Sequence, residues 1–272
     1  DKKPKKILKI IKKVRPFVII DFASICVVNQ SWKYPETYIN VNVLYKSHIF
    51  KNLSNFNFLK KYIYVSTPEV FGSTDKLIRE NCSKFDPSTP YATSKLCSEL
   101  LLKNYVKSFN APVIIARFSN FFGLGQPAYR LIPKVITCID KKIKFTLEGK
   151  GEAKRNYIYT YDFCNGIYKI VLKGINGRTY HFSGNKYYKT TDVIKMICKL
   201  KNYKFKNLVV STKKRVGQDL AYKLHSQKTK TELNWRPKFS FRKAISEIIS
   251  HNRFLVKKTS SKDLVYRDIS FK

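Results

Sequence analysis

The chain has 272 residues, of which 43% are hydrophobic and 14% aromatic, a composition that excludes an intrinsically disordered protein. No apolar run reaches the roughly 18–20 residues that a membrane-spanning helix needs, so we expect no membrane partner. The 54 basic and 18 acidic residues leave a net charge of +36, and lysine is spread along the whole chain. That spread favours compositional bias, so we expect contact with nucleic acid to be non-specific if it occurs at all.

Apolar runs and helical patterns alternate along the first 120 residues. The predicted elements are a helix that ends at Val14, a buried strand at 17–23, a helix at 35–52, a strand at 62–66, a helix that starts at Thr89 and Pro90, and a buried strand at 112–118. Strands that alternate with helices pair in parallel, so the sequence predicts an α/β fold. After residue 120 the pattern is looser, with short strands and helices near 130–141, 190–200 and 241–252.

Cysteine and histidine indicate neither a disulfide framework nor a metal site. The six cysteines are scattered without a Cys-x-x-Cys pair, which is typical of reduced thiols in a cytoplasmic protein. The four histidines lack the short spacing of zinc ligands. The densest basic stretches, 1–13 and 199–214, are candidates for weak, salt-sensitive contact with polyanions.

The most informative pair of residues is Tyr91 and Lys95, near the start of the helix that follows the 62–66 strand. Residues four apart lie on one face of a helix. An ammonium beside a phenol favours the phenolate and lowers the phenol pKa from about 10 toward neutral pH. Such a phenol can take a proton from an alcohol while a hydride leaves for a nicotinamide. Tyr-x-x-x-Lys is a weak signal by itself, because the same pattern also describes a surface pair.

Seven short stretches in a fixed order strengthen that signal. They are 66–72 (STPEVFG), 90–95 (PYATSK), 117–123 (RFSNFFG), 130–133 (RLIP), 155–159 (RNYIY) with Asp162, 215–219 (RVGQD) and 232–237 (ELNWRP). Together they resemble the extended short-chain dehydrogenase/reductase family over nearly the whole chain. Within it the chain is most similar to the NAD-dependent nucleotide-sugar epimerases and dehydratases, above all the dTDP-glucose 4,6-dehydratases. The resemblance implies a Rossmann-like parallel sheet with a smaller C-terminal substrate-binding lobe.

The resemblance also implies a reaction and its catalytic residues. In the family, oxidation at C4 of the sugar acidifies the C5 proton, which makes elimination or epimerisation feasible. Tyr91 matches the base that takes the C4 hydroxyl proton, and Lys95 matches the residue that tunes it and binds the nicotinamide ribose. Thr67 matches the hydroxyl that orients the sugar oxygen, and Glu69 matches the carboxylate that takes the C5 proton.

Pro68 departs from the dehydratase pattern. The dehydratases carry an aspartate at this position, which protonates the departing C6 hydroxyl, and proline has no proton to give. A nucleotide-sugar 4-epimerase or a decarboxylase is therefore an open alternative. A catalytically inactive scaffold or polyanion-binding protein with the same fold is an alternative of another class.

Further binding residues follow from the same resemblance. Ala23 and Ser24 match two small residues that let the backbone approach the dinucleotide. Asn120 matches an asparagine that lines both the sugar and the nicotinamide, and Arg155 and Arg215 match arginines that bind the nucleotide diphosphate. The implied ligands are NAD and a nucleotide-diphosphate sugar, without a metal. Gln218 and Ala221 replace a histidine and an arginine of the dehydratases, so the sugar pocket is expected to differ from theirs.

The sequence contains no Gly-x-x-Gly-x-x-Gly turn, which seats the pyrophosphate in dinucleotide-binding folds. The glycine pairs at 123–125 and 149–151 are only lookalikes. We therefore expect an N-terminally truncated chain that lacks its first βαβ units, or a second chain that supplies them, and weakened NAD binding. The expected parts are a partial dinucleotide-binding domain at 1–120, a mainly substrate-binding lobe with return helices at 121–256, and a polar tail at 257–272.

A homodimer is expected through the Tyr91 helix and the 36–52 helix, as in the family. The apolar residues of the Tyr91 helix exceed what one core-facing stripe needs, and a surplus apolar face marks an interface. The residues of this stripe are Leu96, Leu100, Leu101 and Tyr105.

Overall fold

A computed structural model describes residues 4–256 and 261–264. The α-helices are α1 (Pro4–Val14), α2 (Val28–Lys33), α3 (Pro35–Ile39), α4 (Tyr45–Phe50), α5 (Pro90–Phe109), α6 (Leu131–Asp140), α7 (Thr160–Lys173), α8 (Thr190–Leu200), α9 (Phe205–Leu208), α10 (Gln227–Glu232) and α11 (Phe241–Val256). A π-helical segment, Asn40–Leu44, joins α3 to α4. Short 3-10 helices lie at Leu53–Asn55, Pro68–Phe71, Gly149–Gly151 and Ser261–Leu264. Within the described part of the chain, no helix is both long enough and apolar enough to cross a bilayer.

The strands form one larger parallel sheet and several small ones. The strands are β1 (Val18–Asp21), β2 (Lys61–Ser66), β3 (Leu77–Ile78), β4 (Val113–Phe118), β5 (Asn120–Phe122), β6 (Phe145–Glu148), β7 (Lys154–Tyr159), β8 (Thr179–Phe182), β9 (Tyr187–Lys189), β10 (Val209–Thr212) and β11 (Lys223–Leu224). In the larger sheet the order is β1-β2-β4-β8, and every neighbouring pair is parallel. The predicted α/β class with a parallel sheet is confirmed.

The first strand differs from its prediction as a buried strand. Among the described residues β1 pairs with β2 alone, so one of its long edges has no neighbouring strand. Phe17 is 66% exposed, and Ile20 and Phe22 are also exposed. A continuous apolar run cannot by itself distinguish a central strand from one at the edge of a sheet, and the prediction of burial is wrong here. By contrast, every residue of β4 is buried, as predicted.

The helix that carries Tyr91 begins where the sequence predicts. Thr89 is the N-cap of α5, and its side-chain oxygen accepts a hydrogen bond from the backbone N–H of Ala92 at 3.2 Å. Pro90 occupies the first turn, where its missing N–H costs nothing.

The apolar residues of α5 do not form one surplus face. Leu96 packs in a cluster with Val70 and Phe71, whereas Leu101 packs against a separate core. Only Leu100 of the predicted stripe is exposed, at 45%. The prediction of a surplus apolar face is therefore wrong, because the apolar residues of α5 pack into two different cores.

The chain divides into two compact units. The first comprises the residues up to Ser119 together with 165–183 and 222–235, and the second comprises 120–164, 184–221 and the residues from Arg236 onward. In the first unit, Phe50, Tyr62 and Leu102 belong to a core that packs on the parallel sheet. The core of the second unit includes Ile136, Ile194 and Ile245. Apart from Ser261–Leu264, the predicted polar tail lies outside the described residues.

Candidate active site

A 3-10 turn follows β2 and carries two of the predicted site residues, Thr67 and Glu69. Thr67 is its N-cap, and Thr67 Oγ1 accepts a hydrogen bond from the backbone N–H of Glu69 at 3.3 Å. Because the hydroxyl oxygen is the acceptor in this bond, its proton can still be donated to a ligand. Pro68 is buried, and Glu69 is partly exposed. The turn therefore presents a hydroxyl and a carboxylate two residues apart.

Gly72 ends this turn, and Gly72→Ala is expected to destabilise the protein strongly. Its φ of 64° and ψ of −157° lie in a region that only glycine adopts readily. An added Cβ would lie 2.1 Å from the carbonyl oxygen of Asp86. Backbone strain alone costs about 1–3 kcal/mol, and the clash adds to it. Urea denaturation measures the loss.

Gly125→Ala is the matched control for Gly72→Ala. Gly125 also has a positive φ, 76°, but an added Cβ would meet nothing within 4 Å. Gly125→Ala should therefore reduce the free energy of unfolding only by the cost of backbone strain. Equal losses of unfolding free energy in the two variants would show that the contact with Asp86 is unimportant.

Tyr91 lies in the first turn of α5 and is only 8% exposed. Its ring packs edge-on against the ring of Tyr38, with centroids 6.4 Å apart, in a small cluster that includes Ile25. Ser94 donates a hydrogen bond to the Tyr91 carbonyl oxygen at 2.7 Å. These contacts fix the backbone and ring of Tyr91 at the start of the helix.

Lys95 is buried, with 2% of its surface exposed, and it connects α5 to the ends of two strands. Its Nζ donates to Ser24 Oγ at 3.0 Å and to the carbonyl oxygen of Val65 at 2.8 Å, and it lies 4.1 Å from the centroid of the Tyr64 ring. Burial, followed by the positive charge of Lys46, lowers the pKa of Lys95 to about 7. Lys95 therefore exchanges its proton near neutral pH and is less strongly cationic than an exposed lysine.

Two other tyrosines near Lys95 are poor bases. Burial and the nearby carboxylate of Asp21 raise the pKa of Tyr62 and of Tyr64 well above the usual value. Both therefore stay neutral phenols at physiological pH. Of these neighbouring tyrosines, Tyr91 is the one that remains as a candidate base.

Asn42 is a site residue that the sequence analysis missed. It lies in the π-helical segment and is fully buried. Its amide accepts from the backbone N–H of Ile25 at 2.9 Å and donates to the Ile25 carbonyl at 3.0 Å and to Ser94 Oγ at 2.9 Å. Its own carbonyl accepts from Ser98 Oγ at 2.5 Å. Asn42 thus joins the loop after β1 to α5, and its only sequence signal is an amide within an otherwise apolar helical stripe.

A buried ion pair that the sequence analysis also missed lies near the Tyr64 ring. Lys46 Nζ donates to Asp21 Oδ1 at 2.9 Å and Oδ2 at 2.7 Å. Asp21 also accepts from the Tyr62 hydroxyl at 2.5 Å and from the backbone N–H of Ala23 at 3.0 Å. The carboxylate therefore holds the short segment that contains the predicted cofactor residues Ala23 and Ser24.

Arg117, within one of the resembling stretches, is engaged in the protein interior. Its guanidinium forms a bidentate ion pair with Glu99 of α5 and lies 3.1 Å from His181 Nε2. Burial and the Arg117 charge lower the pKa of His181 well below the usual value, so this histidine is neutral. His181 Nε2 consequently accepts from Arg117, and Nδ1 donates to the Ile78 carbonyl at 3.2 Å. The network anchors α5 to the sheet.

The remaining predicted binding residues belong to the second unit. Asn120 is exposed at the start of β5. Arg155 donates to the carbonyl oxygens of Lys154 at 2.9 Å and Asp219 at 2.8 Å, so it braces the loop that contains Arg215. Arg215 Nε lies 3.9 Å from a carboxylate oxygen of Glu148. Arg155 therefore contacts the loop that contains Arg215.

Comparison with known proteins identifies the family. The family model described as GDP-mannose 4,6 dehydratase matches residues 2–248. The chain belongs to this family. The match confirms the resemblance to the NAD-dependent epimerases and dehydratases of the extended short-chain dehydrogenase/reductases.

Curated proteins and solved structures resemble this chain over most of its length. The human dTDP-D-glucose 4,6-dehydratase is 30% identical over 244 residues, which cover 87% of this chain and 68% of the human protein. The structure of DesIV, a dTDP-glucose 4,6-dehydratase from Streptomyces venezuelae with NAD bound, is 26% identical with a TM-score of 0.87, and the match covers 93% of this chain and 77% of DesIV. UDP-glucuronic acid 4-epimerase from Bacillus cereus, solved with UDP-glucuronic acid and NAD, is 22% identical with a TM-score of 0.87 over 94% of this chain and 80% of the epimerase, and shares the fold.

Proposed function

We propose that the chain acts as an NAD-dependent nucleotide-sugar dehydratase or epimerase that oxidises C4 of a nucleotide-linked hexose. The observation that carries this proposal is the bonding of Lys95 to Ser24 and to the Val65 carbonyl. These bonds hold α5, the helix that carries Tyr91, near the carboxyl end of β2 and the loop that follows β1. In open parallel sheets, ligands bind outside the carboxyl ends of the strands.

The residues at this edge of the sheet fit a polar cofactor. Ala23 and Ser24 are small, and the Ser66 and Ser119 hydroxyls, at the carboxyl ends of β2 and β4, are buried without a hydrogen-bond partner among the described residues. Buried hydroxyls without partners favour a ligand that supplies them. We assign NAD to this edge, held by Ala23, Ser24 and Lys95. When bound, NAD would accept a hydride from C4.

The side chains supply the proton transfers. Protonated Lys95 stabilises the phenolate form of Tyr91, which takes the proton of the C4 hydroxyl and becomes the neutral phenol. The Thr67 hydroxyl donates a hydrogen bond to the sugar oxygen and so orients the sugar. Glu69 then takes the C5 proton, which the neighbouring 4-keto group makes acidic.

Pro68 favours a second candidate, a nucleotide-sugar 4-epimerase or decarboxylase. Its buried ring occupies the position between Thr67 and Glu69 and offers no proton to a departing hydroxyl. Epimerisation at C4 and loss of C6 as CO2 both proceed without expelling a hydroxyl, so neither needs such an acid. Dehydration by this chain requires that water or another side chain supply the proton.

Glu69→Gln tests the assignment of Glu69 to the C5 proton. With NAD and nucleotide-linked hexoses in deuterated water, the unchanged protein is expected to incorporate deuterium at C5, measured by mass spectrometry. The variant should lose at least about 10²-fold of this exchange, since an amide cannot accept the proton. Glu36→Gln, at an exposed carboxylate in the same unit, is the control and should exchange normally.

The outcomes separate the candidate functions. Normal exchange in Glu69→Gln would remove Glu69 from the mechanism and favour a 4-epimerase. A complete lack of oxidation and exchange in the unchanged protein at millimolar NAD would favour the inactive scaffold.

We also propose that NAD binding by these 272 residues is weak. The sequence contains no Gly-x-x-Gly-x-x-Gly turn, and such turns supply much of the contact with the pyrophosphate. Calorimetric titration of the chain with NAD should give a dissociation constant well above the low micromolar range. A low micromolar value would contradict the proposal.

The remaining assignments are proposals from the family. The first unit would bind the dinucleotide, and the second would bind the nucleotide-diphosphate sugar through Asn120, Arg155 and Arg215. The protein would form a homodimer through α5 and the helix at 36–52. It would be located in the cytoplasm, as is usual for enzymes that act on nucleotide sugars.

A further inference from the structure

Two buried lysines approach the ring of one tyrosine. Lys46 Nζ lies 4.9 Å and Lys95 Nζ lies 4.1 Å from the centroid of the Tyr64 ring. All three side chains are at least nine-tenths buried. Buried cations carry a large desolvation cost unless each has a compensating partner.

The two lysines are compensated differently. Lys46 binds both carboxylate oxygens of Asp21, whereas the hydrogen-bond acceptors of Lys95 are the neutral Ser24 hydroxyl and Val65 carbonyl. Asp21 also accepts from Tyr62 and from a backbone N–H. The nearby carboxylate is thus fully occupied, and Lys95 is left without a charged hydrogen-bond partner in this cluster.

We propose that Lys46, paired with Asp21, is a positioning residue that keeps Lys95 bonded to Ser24 and Val65 and sets the charge that Lys95 presents to Tyr91. Without Lys46, the Asp21 carboxylate would have free acceptor capacity beside Lys95. The ammonium of Lys95 would then be stabilised by that carboxylate, and its bond to Ser24 would weaken. The effect of Lys46 on catalysis rests on the proposed function, whereas its effect on the protonation of Lys95 does not.

The charges around Lys95 act in opposite directions. The charged and titratable groups that act on Lys95 include Lys46 on α4, Asp21 on β1, Cys26 in the loop after β1 and Glu99 on α5, and the Tyr64 ring of β2 lies 4.1 Å from Lys95 Nζ. After burial, Lys46 is the largest influence that lowers the pKa of Lys95, and Asp21, Glu99 and Cys26 raise it. Glu99 is paired with Arg117, so changing Lys46 and Asp21 is the more direct way to change the charge near Lys95.

The first arm of the experiment measures Lys95 directly. In protein labelled with ¹³C at lysine Cε, NMR titration should detect Lys95 as a lysine that titrates near pH 7, identified by its loss in Lys95→Met. In Lys46→Met, its midpoint should move upward by at least about one pH unit, as expected when a nearby like charge is removed. The Asp21→Asn/Lys46→Met double variant loses both charges and should show a smaller shift, and it avoids leaving a buried carboxylate without its cation.

Lys103→Met is the matched control. Lys103 lies on the same helix two turns beyond Lys95, with its Nζ 5.1 Å from the Phe85 ring centroid. Its loss should leave the Lys95 midpoint within about 0.3 pH units of the unchanged protein, because it lies beyond the immediate surroundings of Lys95. An unchanged Lys95 midpoint in both Lys46→Met and the double variant would overturn the proposal.

The second arm tests the use of this charge in the reaction. If protonated Lys95 assists Tyr91, turnover of a nucleotide-linked hexose should fall as pH rises through the Lys95 midpoint, and Lys46→Met should move that decline to higher pH. An NMR shift without a matching shift of the rate profile would overturn the catalytic part. If the unchanged protein shows no turnover at all, the proposed function fails, and the NMR arm still decides whether Lys46 controls Lys95.

Discussion

Replacing Tyr91 by phenylalanine should lower the turnover of a nucleotide-linked hexose by at least about 10²–10⁴-fold, the range typical of a positioned acid or base. The change removes one oxygen and leaves the ring that packs against Tyr38. Its neighbours cannot replace it, because burial and Asp21 hold Tyr62 and Tyr64 as neutral phenols. Product formation at saturating NAD, followed by mass spectrometry, measures the loss.

Tyr105→Phe controls for the loss of a phenol on the same helix. Tyr105 packs at the far end of α5, and its ring centroid lies 5.8 Å from that of Phe109. Turnover in this variant should equal that of the unchanged protein. If Tyr91→Phe retained more than about a tenth of the activity, a proton acceptor other than Tyr91 would be required.

Arg117→Leu should reduce the free energy of unfolding by about 3–5 kcal/mol, because it leaves Glu99 buried without its partner. Both side chains are fully buried, and the pair joins β4 to α5. His181 would also lose the donor to its Nε2. Denaturation in urea, followed by circular dichroism, measures this loss.

The double variant Glu99→Leu/Arg117→Leu should recover much of the stability that Arg117→Leu loses. Removal of both charges leaves no isolated buried ion, and apolar replacements of buried pairs are often neutral or stabilising. Lys189→Met, which breaks the exposed pair with Glu152, should cost far less stability than Arg117→Leu, because solvent screens that pair. If Arg117→Leu cost no more than Lys189→Met, the buried pair would not anchor α5.

The sequence predicted those parts of the fold that depend on short-range patterns. The apolar run of β4, the N-cap of α5 at Thr89 and the placement of Tyr91 and Lys95 on one helix all follow from neighbouring residues. α7 was missed, and Gly166 within it is one reason, since glycine disfavours helix interiors. The structure explains this glycine: an added Cβ would lie 2.8 Å from the ring of Phe182.

Contacts between distant residues could not be predicted in the same way. Asp21 and Lys46 are 25 positions apart, and Asn42 and Ser94 are 52 apart. A lysine on an amphipathic helix normally indicates a solvated face, and its burial becomes evident only when the partner strand is in place. The exposed side chains of β1 were misjudged for a related reason, because the number of neighbours of a strand is a property of the whole sheet.

The π-helical segment Asn40–Leu44 sets the relative orientation of two side chains that anchor the helix, Tyr38 and Lys46. Before it, the Tyr38 hydroxyl donates to the Val27 carbonyl at 2.5 Å, and after it Lys46 binds Asp21. A π-helical turn holds more residues than an α-helical one, and each residue of an α-helix turns the chain by about 100°. The same residues wound as a regular α-helix would instead rotate one anchor away from its partner. The helix could then keep Tyr38 in place or Lys46 in place, but not both, so the loop that carries Ser24 would lose one of its supports.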